Sequence, residues 1–227
     1  MKPSKAYILK TDNEKSVQYA AVCAESCDNN GVEWEYVNWF SEGKAKDAWA
    51  SIGIPIKNFD GYKAQNEKAQ FATSGHAFIW KKIRDSNQAA YVFEHDAVLF
   101  HKADIDIPDN CIVTLGYKLQ KIEQYDHAAA GPPQKIVDVN GKGHEGAHAY
   151  AITPETARLL LKEIETLGVR GAIDNTHFLR TRKTSVPIKI MCPTPAIGWL
   201  RESTIWKHSA YKNYEFIDSF KAHYVKN

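Results

Sequence analysis

The sequence predicts an α/β protein: one domain over residues 1–227, built on a single mixed, mainly parallel sheet flanked by helices, with an irregular tail from about residue 199. Three observations carry that prediction. A short apolar run, an Ala-rich helical stretch and an alternating run follow one another at the start of the chain, and strand–helix–strand in that order favours a right-handed crossover between parallel strands. Further apolar runs of strand length recur at 89–93, 111–115, 147–152 and 186–191. Helical stretches fall between several of these runs, and no internal repeat, low-complexity segment or linker divides the chain.

Ala6-Tyr7-Ile8-Leu9-Lys10 reads as a buried first strand, closed by the polar Thr11-Asp12-Asn13-Glu14. Residues 16–27 read as a helix stopped by Asn29-Asn30-Gly31. Val32-Glu33-Trp34-Glu35-Tyr36-Val37 alternates with period two and reads as the second strand. Residues 41–62, punctuated by Gly43, Gly53, Pro55 and Gly61, predict a loop holding a short helix. Residues 66–83 predict a helix interrupted at Ser74-Gly75 and ended by Arg84-Asp85-Ser86-Asn87. Ala89-Ala90-Tyr91-Val92-Phe93 is a strand that runs into Glu94-His95-Asp96, and Cys111-Ile112-Val113-Thr114-Leu115 is another. Residues 119–143 predict a long excursion or hairpin. Residues 147–152 return as a strand. Thr153-Pro154-Glu155 then opens a helix, with Thr153 as N-cap and Pro154 in the first turn. That helix aligns Ala157, Leu160, Leu161, Ile164 and Leu167 on one face, and Gly168 stops it. Residues 186–191 make the last predicted strand.

Composition sets limits. Hydrophobic residues at 44% and charged residues at 25% are those of an ordinary globular chain that can bury a core. The net charge of +2, from 29 Lys and Arg against 27 Asp and Glu, leaves no strong nucleic-acid signature. Cys23, Cys27, Cys111 and Cys192 match neither a redox pair nor a zinc spacing, and read as reduced thiols. With no transmembrane segment and no signal core, the chain reads as a soluble, cytoplasmic protein.

The chemistry concentrates at Glu94-His95-Asp96. Open α/β sheets bind ligands at the carboxyl ends of their strands. Two carboxylates two residues apart around a turn can share one hard cation, magnesium or manganese, with substrate phosphates completing the shell. The same string also suits a solvated strand end with a capping Asp. Arg180, Arg182 and Lys183, preceded by His177, form a basic cluster that suits either phosphate oxygens or a solvated helix face. No dinucleotide or P-loop motif is present.

Several segments together resemble one family. Phe93-Glu94-His95-Asp96-Ala97 resembles the Leu-Glu-Asp-Asp-Ala string of glycosyltransferase family 25, the lipopolysaccharide-sugar and collagen galactosyltransferases. Ala6 to Lys10 is similar to that family's first strand. Ser74-Gly75-His76 followed by Trp80-Lys81-Lys82-Ile83 is similar to its Leu-Ser-His segment and Trp-bearing helix. Gly146-Ala147-His148-Ala149-Tyr150-Ala151-Ile152-Thr153, with Ala157 and Leu160-Leu161, is similar to its Gly-x-x-Ala-Tyr-x-Ile-Ser strand and helix, and Ala172-Ile173-Asp174 to its Pro-Ile-Asp element. The matches keep their order over about residues 6–200.

The resemblance implies a GT-A-like fold and an inverting transfer of a sugar from a nucleotide-sugar donor, UDP-linked, to an acceptor hydroxyl. It makes Asp96 the direct ligand of a divalent cation (Mn or Mg), with Glu94 supporting it at the metal or ribose. His76 and His95 would line the donor site. Thr11, Asp12 and Lys15, after the first strand, would meet the base or ribose. Inversion requires a base for the acceptor's proton. Asp174 is the first candidate and His148, on a strand bordering the site, the second. The acceptor class stays open among saccharide, protein and modified nucleic-acid base. Three departures stand out: His95 replaces an Asp, the Arg expected after the first strand is absent, with Lys15 the nearest basic residue, and the Cys expected before Ser74 is missing. Two other readings compete. One is a metal-dependent phosphoesterase using His95, Asp96 and His101. The other is a sugar- or nucleotide-binding relative that has lost catalysis.

Overall fold

The computed structural model describes residues 1–39, 45–54, 67–118, 133–138, 147–169, 173 and 186–198. In chain order the elements are β1 (Lys5–Lys10), α1 (Glu14–Asn29), β2 (Glu33–Asn38), α2 (Ala45–Ile52), α3 (Glu67–Ser86), β3 (Ala90–Glu94) and β4 (Ala97–Leu99). There follow β5 (Ile112–Thr114), β6 (Gly116–Lys118), β7 (Lys135–Asp138), β8 (Ala149–Ile152), α4 (Pro154–Leu167), β9 (Ile188–Cys192) and β10 (Ala196–Gly198).

Among the described residues seven strands form one sheet in the order β2-β1-β3-β8-β5-β9-β7. β1 pairs in parallel with both β2 and β3, and β5 with β9, while β8 and β7 run against their neighbours. Five of the seven strands therefore point the same way, which is the mixed, mainly parallel sheet the sequence predicts. A second, three-stranded sheet, β4-β10-β6, joins the first at Leu115, whose N–H donates to Ala149 O and whose carbonyl accepts from Ala196 N.

Period-two alternation assigns the buried strand residues to two faces. Ala6 and Ile8 of β1, Tyr91 and Phe93 of β3, and Ala149 and Ala151 of β8 pack with Ala20, Cys23, Ala24 and Cys27 of α1. Tyr7, Leu9, Ala90, Val92, Tyr150 and Ile152 point the other way, into a core with Ile79, Trp80 and Ile83 of α3 and Leu160 and Ile164 of α4. Fully burying a side chain of this kind contributes roughly 1.5–3 kcal/mol. Cys23, Cys27 and Cys111 are buried free thiols and Cys192 is half-buried.

Local signals hold where the chemistry is local. Thr153 caps α4 by accepting from Thr156 N, Pro154 stands in the first turn, and Gly168 ends the helix at φ 75°. Four corrections follow from tertiary structure. α3 runs unbroken through Ser74-Gly75 to Ser86, with Asn87 left-handed at φ 54°. Leu167 is 37% exposed, outside the buried face formed by Ala157, Leu160, Leu161 and Ile164. The strand at 188–192 is not the last, because β10 follows it. Three-residue β4 and β6 and four-residue β7 are too short to show a period in sequence. Within the long excursion, residues 119–132 and 139–143 lie outside the described residues, as does the tail from 199.

Candidate active site at the carboxyl end of β3

The carboxyl ends of β1, β2 and β3 lie side by side. Leu9 is in register with Glu94, and Trp39 N, just past β2, donates to Lys10 O at 2.8 Å. The turn after β1 is built by short side chains. Thr11 N donates to Ser16 Oγ at 3.0 Å, Asn13 N to Thr11 Oγ1 at 3.3 Å, and Lys15 N to the N-cap Asn13 Oδ1 at 3.0 Å. This Asx-type turn starts α1 beside the sheet edge. Thr11, Asp12 and Lys15 are thus placed at the edge where Glu94 ends its strand.

Glu94 belongs to the α3 face. Its Oε1 lies 3.1 Å from His76 Nε2, and His76 Nδ1 lies 2.9 Å from the Tyr150 hydroxyl. Trp80 Nε1 donates to the same hydroxyl at 2.7 Å. His76, Trp80 and Tyr150 are fully buried, whereas the Glu94 side chain keeps 27% of its surface open. His76 and Trp80 are four apart on α3 and share a face. Tyr150 sits on β8 opposite Val92. Gly75 lets this happen. A Cβ there would lie 2.7 Å from Leu9 Cδ1 and 3.1 Å from Trp39 Cδ1, so a larger residue would require Leu9 to shift or α3 to rise from β1.

Burial alone would raise the Glu94 pKa. The His76 hydrogen bond and the positive character of His76, His95 and His148 outweigh it, and hold the carboxyl at about 2. An ionised carboxylate only accepts, so His76 Nε2–H donates to it. Burial pushes the Tyr150 phenol well above its ordinary value; the Trp80 bond opposes this and the Glu94 charge adds to it. The phenol keeps its proton.

Asp96 and His95 face differently from Glu94. Asp96 is 1% exposed, and its charge acts on Cys23 of α1. His95 stacks on Tyr19 of α1 with ring centroids 6.1 Å apart and planes 6° apart. Its Nε2 is buried without a hydrogen-bond partner among the described residues, and burial lowers its pKa although the Glu94 charge opposes this. Of the two carboxylates, Glu94 is partly open and Asp96 is enclosed. His148 is fully buried, and its carbonyl accepts from Glu94 N at 2.9 Å. Its ring lies against Gly198, where a Cβ would come within 3.0 Å of it. Asp174, and with it His177, Arg180, Arg182 and Lys183, lies outside the described residues.

Among the described residues no three His, Cys, Asp or Glu side chains are grouped to hold a metal ion. The two histidines of the phosphoesterase reading stand apart. His95 stacks on Tyr19, while His101 lines a recess of about 580 Å³ with Asn29 and Asn30 at the other end of α1. Ten helical residues separate those positions by roughly 15 Å. Sequence reasoning had not singled out Tyr150. Its signal was a Tyr one strand over from the acidic string, beside a buried His and Trp spaced for one helix face. Trp49 and Trp80 are buried in the core. Trp39 is half-buried, tilted on Phe78 at 4.9 Å and donating to Ser74 Oγ. No helix of the described residues is long and apolar enough to cross a membrane.

The chain matches no protein-family model and no curated protein. It is similar to solved glycosyltransferases. Galactosyltransferase LgtC in complex with donor and acceptor sugar analogs is 12% identical over 96% of this chain and 95% of that one, with a TM-score of 0.42. The apo form of the glycosyltransferase GlyE of Streptococcus pneumoniae TIGR4 is 8% identical over 74% and 38% of the two chains, with a TM-score of 0.38. A glycosyltransferase involved in glycosylating the major capsid of PBCV-1 is 13% identical over 71% and 66%, with a TM-score of 0.35. Likenesses this loose carry no argument, so the functional reading rests on the residues.

Proposed function

We propose that the protein is a glycosyltransferase of GT-A-like, family 25-like type, moving a sugar from a UDP-linked donor to an acceptor hydroxyl with inversion. The observation that carries the reading is Glu94. It ends β3 with one oxygen held by a buried His and its side chain partly open, at the sheet edge formed by the ends of β1 and β2. Thr11, Asp12 and Lys15 flank it and are assigned to the base and ribose.

The donor chemistry fits a divalent cation. Manganese or magnesium is commonly held by one or two carboxylates and substrate phosphates rather than by an all-protein cage. Glu94, ionised above about pH 2, meets that need through its partly open side chain, and the enclosed Asp96 is the nearby second carboxylate that would support it. When bound, such an ion supplies positive charge to the diphosphate leaving group. His76 fixes the Glu94 carboxylate, and His95 adds a ring stacked on Tyr19 at the edge of the site. The acceptor's proton is assigned to Asp174, with His148 the alternative base. The full burial of His148 favours Asp174.

A donor screen that detects release of nucleoside diphosphate tests the proposal. Manganese-dependent release, lost in Glu94→Gln and Asp96→Ala, is expected. A thermal-shift series in which no nucleoside diphosphate with manganese stabilises the protein overturns it. Stabilisation without turnover of any donor moves the reading to a binding protein.

A further inference from the structure

We infer that Trp80, Tyr150 and His76 form a buried positioning relay that fixes the Glu94 side chain, and thereby the site's affinity for a cation–diphosphate ligand. The inference rests on the proposed donor site. Its geometry is continuous from Trp80 to the carboxylate. Trp80 Nε1–H can only donate, so the Tyr150 oxygen accepts it at 2.7 Å. The Tyr150 hydroxyl in turn lies 2.9 Å from His76 Nδ1, and His76 Nε2 lies 3.1 Å from Glu94 Oε1. The contacts form one unbroken chain, and successive hydrogen bonds of this kind polarise one another.

The placement argues for function over filling. The three side chains are fully buried within a core of Ile79, Ile83, Val92 and Ile152. Phe or Leu would occupy such positions without polar atoms to satisfy. The relay spans two elements, α3 and β8, and ends at Glu94, the one partly open member. Mutating residues that orient a ligating side chain typically weakens binding by about 10–100-fold.

Two measurements test the relay. The first is ¹⁵N NMR of the imidazoles, which needs no ligand. His76 is expected to carry a proton on Nε2, and Tyr150→Phe is expected to change its nitrogen shifts. An unprotonated Nε2 in the unmodified protein overturns the inference. The second is calorimetric titration of UDP with manganese into Glu94→Gln, Tyr150→Phe, Trp80→Phe and the Tyr150→Phe/Glu94→Gln double variant. Tyr150→Phe should weaken binding by about 10-fold. The double variant should bind no more weakly than Glu94→Gln alone. Additive losses, or unchanged binding in both Tyr150→Phe and Trp80→Phe, overturn the relay. Absence of binding by the unmodified protein overturns the donor site instead, and leaves the tautomer measurement to decide the relay.

Discussion

The two faces of β3 use the same alternation to opposite ends. Toward α1, Tyr91 and Phe93 stack with ring centroids 5.7 Å apart and pack with Ala20, Cys23 and Cys27. The Tyr91 hydroxyl on that side is spent on structure, accepting from Ala103 N at 2.8 Å. Toward α3, Val92 is followed by Glu94, and the core beneath it holds His76, Tyr150 and Trp80 in one hydrogen-bonded line. Within β3 itself, one face mainly buries carbon to hold the sheet down. The other buries a line of polar groups that ends at the partly open Glu94. A period-two strand can thus turn from packing to polar chemistry by a single residue step.

That contrast breaks first under truncation. Ile8→Ala on the α1 face removes a fully buried side chain and should cost about 2–5 kcal/mol in urea unfolding. Affinity of the folded protein for UDP with manganese should stay unchanged. A loss of affinity as large as that in Tyr150→Phe would show that the two faces are not separable. Tyr150→Phe should cost less stability, about 1–3 kcal/mol, because it removes one oxygen and takes a partner from both Trp80 Nε1–H and His76 Nδ1.

Acid unfolding sharpens the same contrast. The folded-state pKa of Glu94 is depressed from 4.5 to about 2. Its contribution is therefore fully present above pH 4.5 and is lost as pH falls toward 2, amounting to at most about 3 kcal/mol. Comparing stability across that window in the natural protein and in Glu94→Gln should show a shallower slope in the variant. Equal slopes would mean that the His76 bond does not hold the carboxylate.

How much of this was legible depended on range. The β1–α1–β2 opening, the Thr153 cap and the acidic string at the end of β3 are set by neighbours in sequence, and they read directly. The family resemblance had drawn His76, Trp80, Glu94 and Tyr150 from three separate segments without saying why they occur together. The fold supplies the reason, since all four meet in one line across α3, β3 and β8. The relative openness of Glu94 and Asp96 was not legible. Spacing puts two carboxylates near one another, but which is enclosed and which stays partly open depends on how α1 and α3 pack on the two faces. The misread break at Ser74-Gly75 has the same origin. A glycine's low helix propensity is a local signal, and here packing overrides it.

Gly75→Ala gives the smallest expected change and the finest test of how the faces are coupled. An added Cβ would stand 2.7 Å from Leu9 Cδ1, 3.0 Å from Leu9 Cδ2 and 3.1 Å from Trp39 Cδ1. Overpacking of this kind costs about 1–3 kcal/mol. Alanine's better helix propensity returns roughly 1 kcal/mol of it. A net loss of about 1 kcal/mol is therefore expected in urea unfolding. The effect on the site should be out of proportion to that loss. α3 carries His76 one residue beyond Gly75, so lifting the helix from β1 lengthens the His76–Glu94 contact before it disturbs the core around Ile83. The signature is weakened UDP–manganese affinity and a changed His76 nitrogen shift, with the α1 face unaffected. Should stability fall while both site readouts hold, the height of α3 on β1 does not set the position of Glu94.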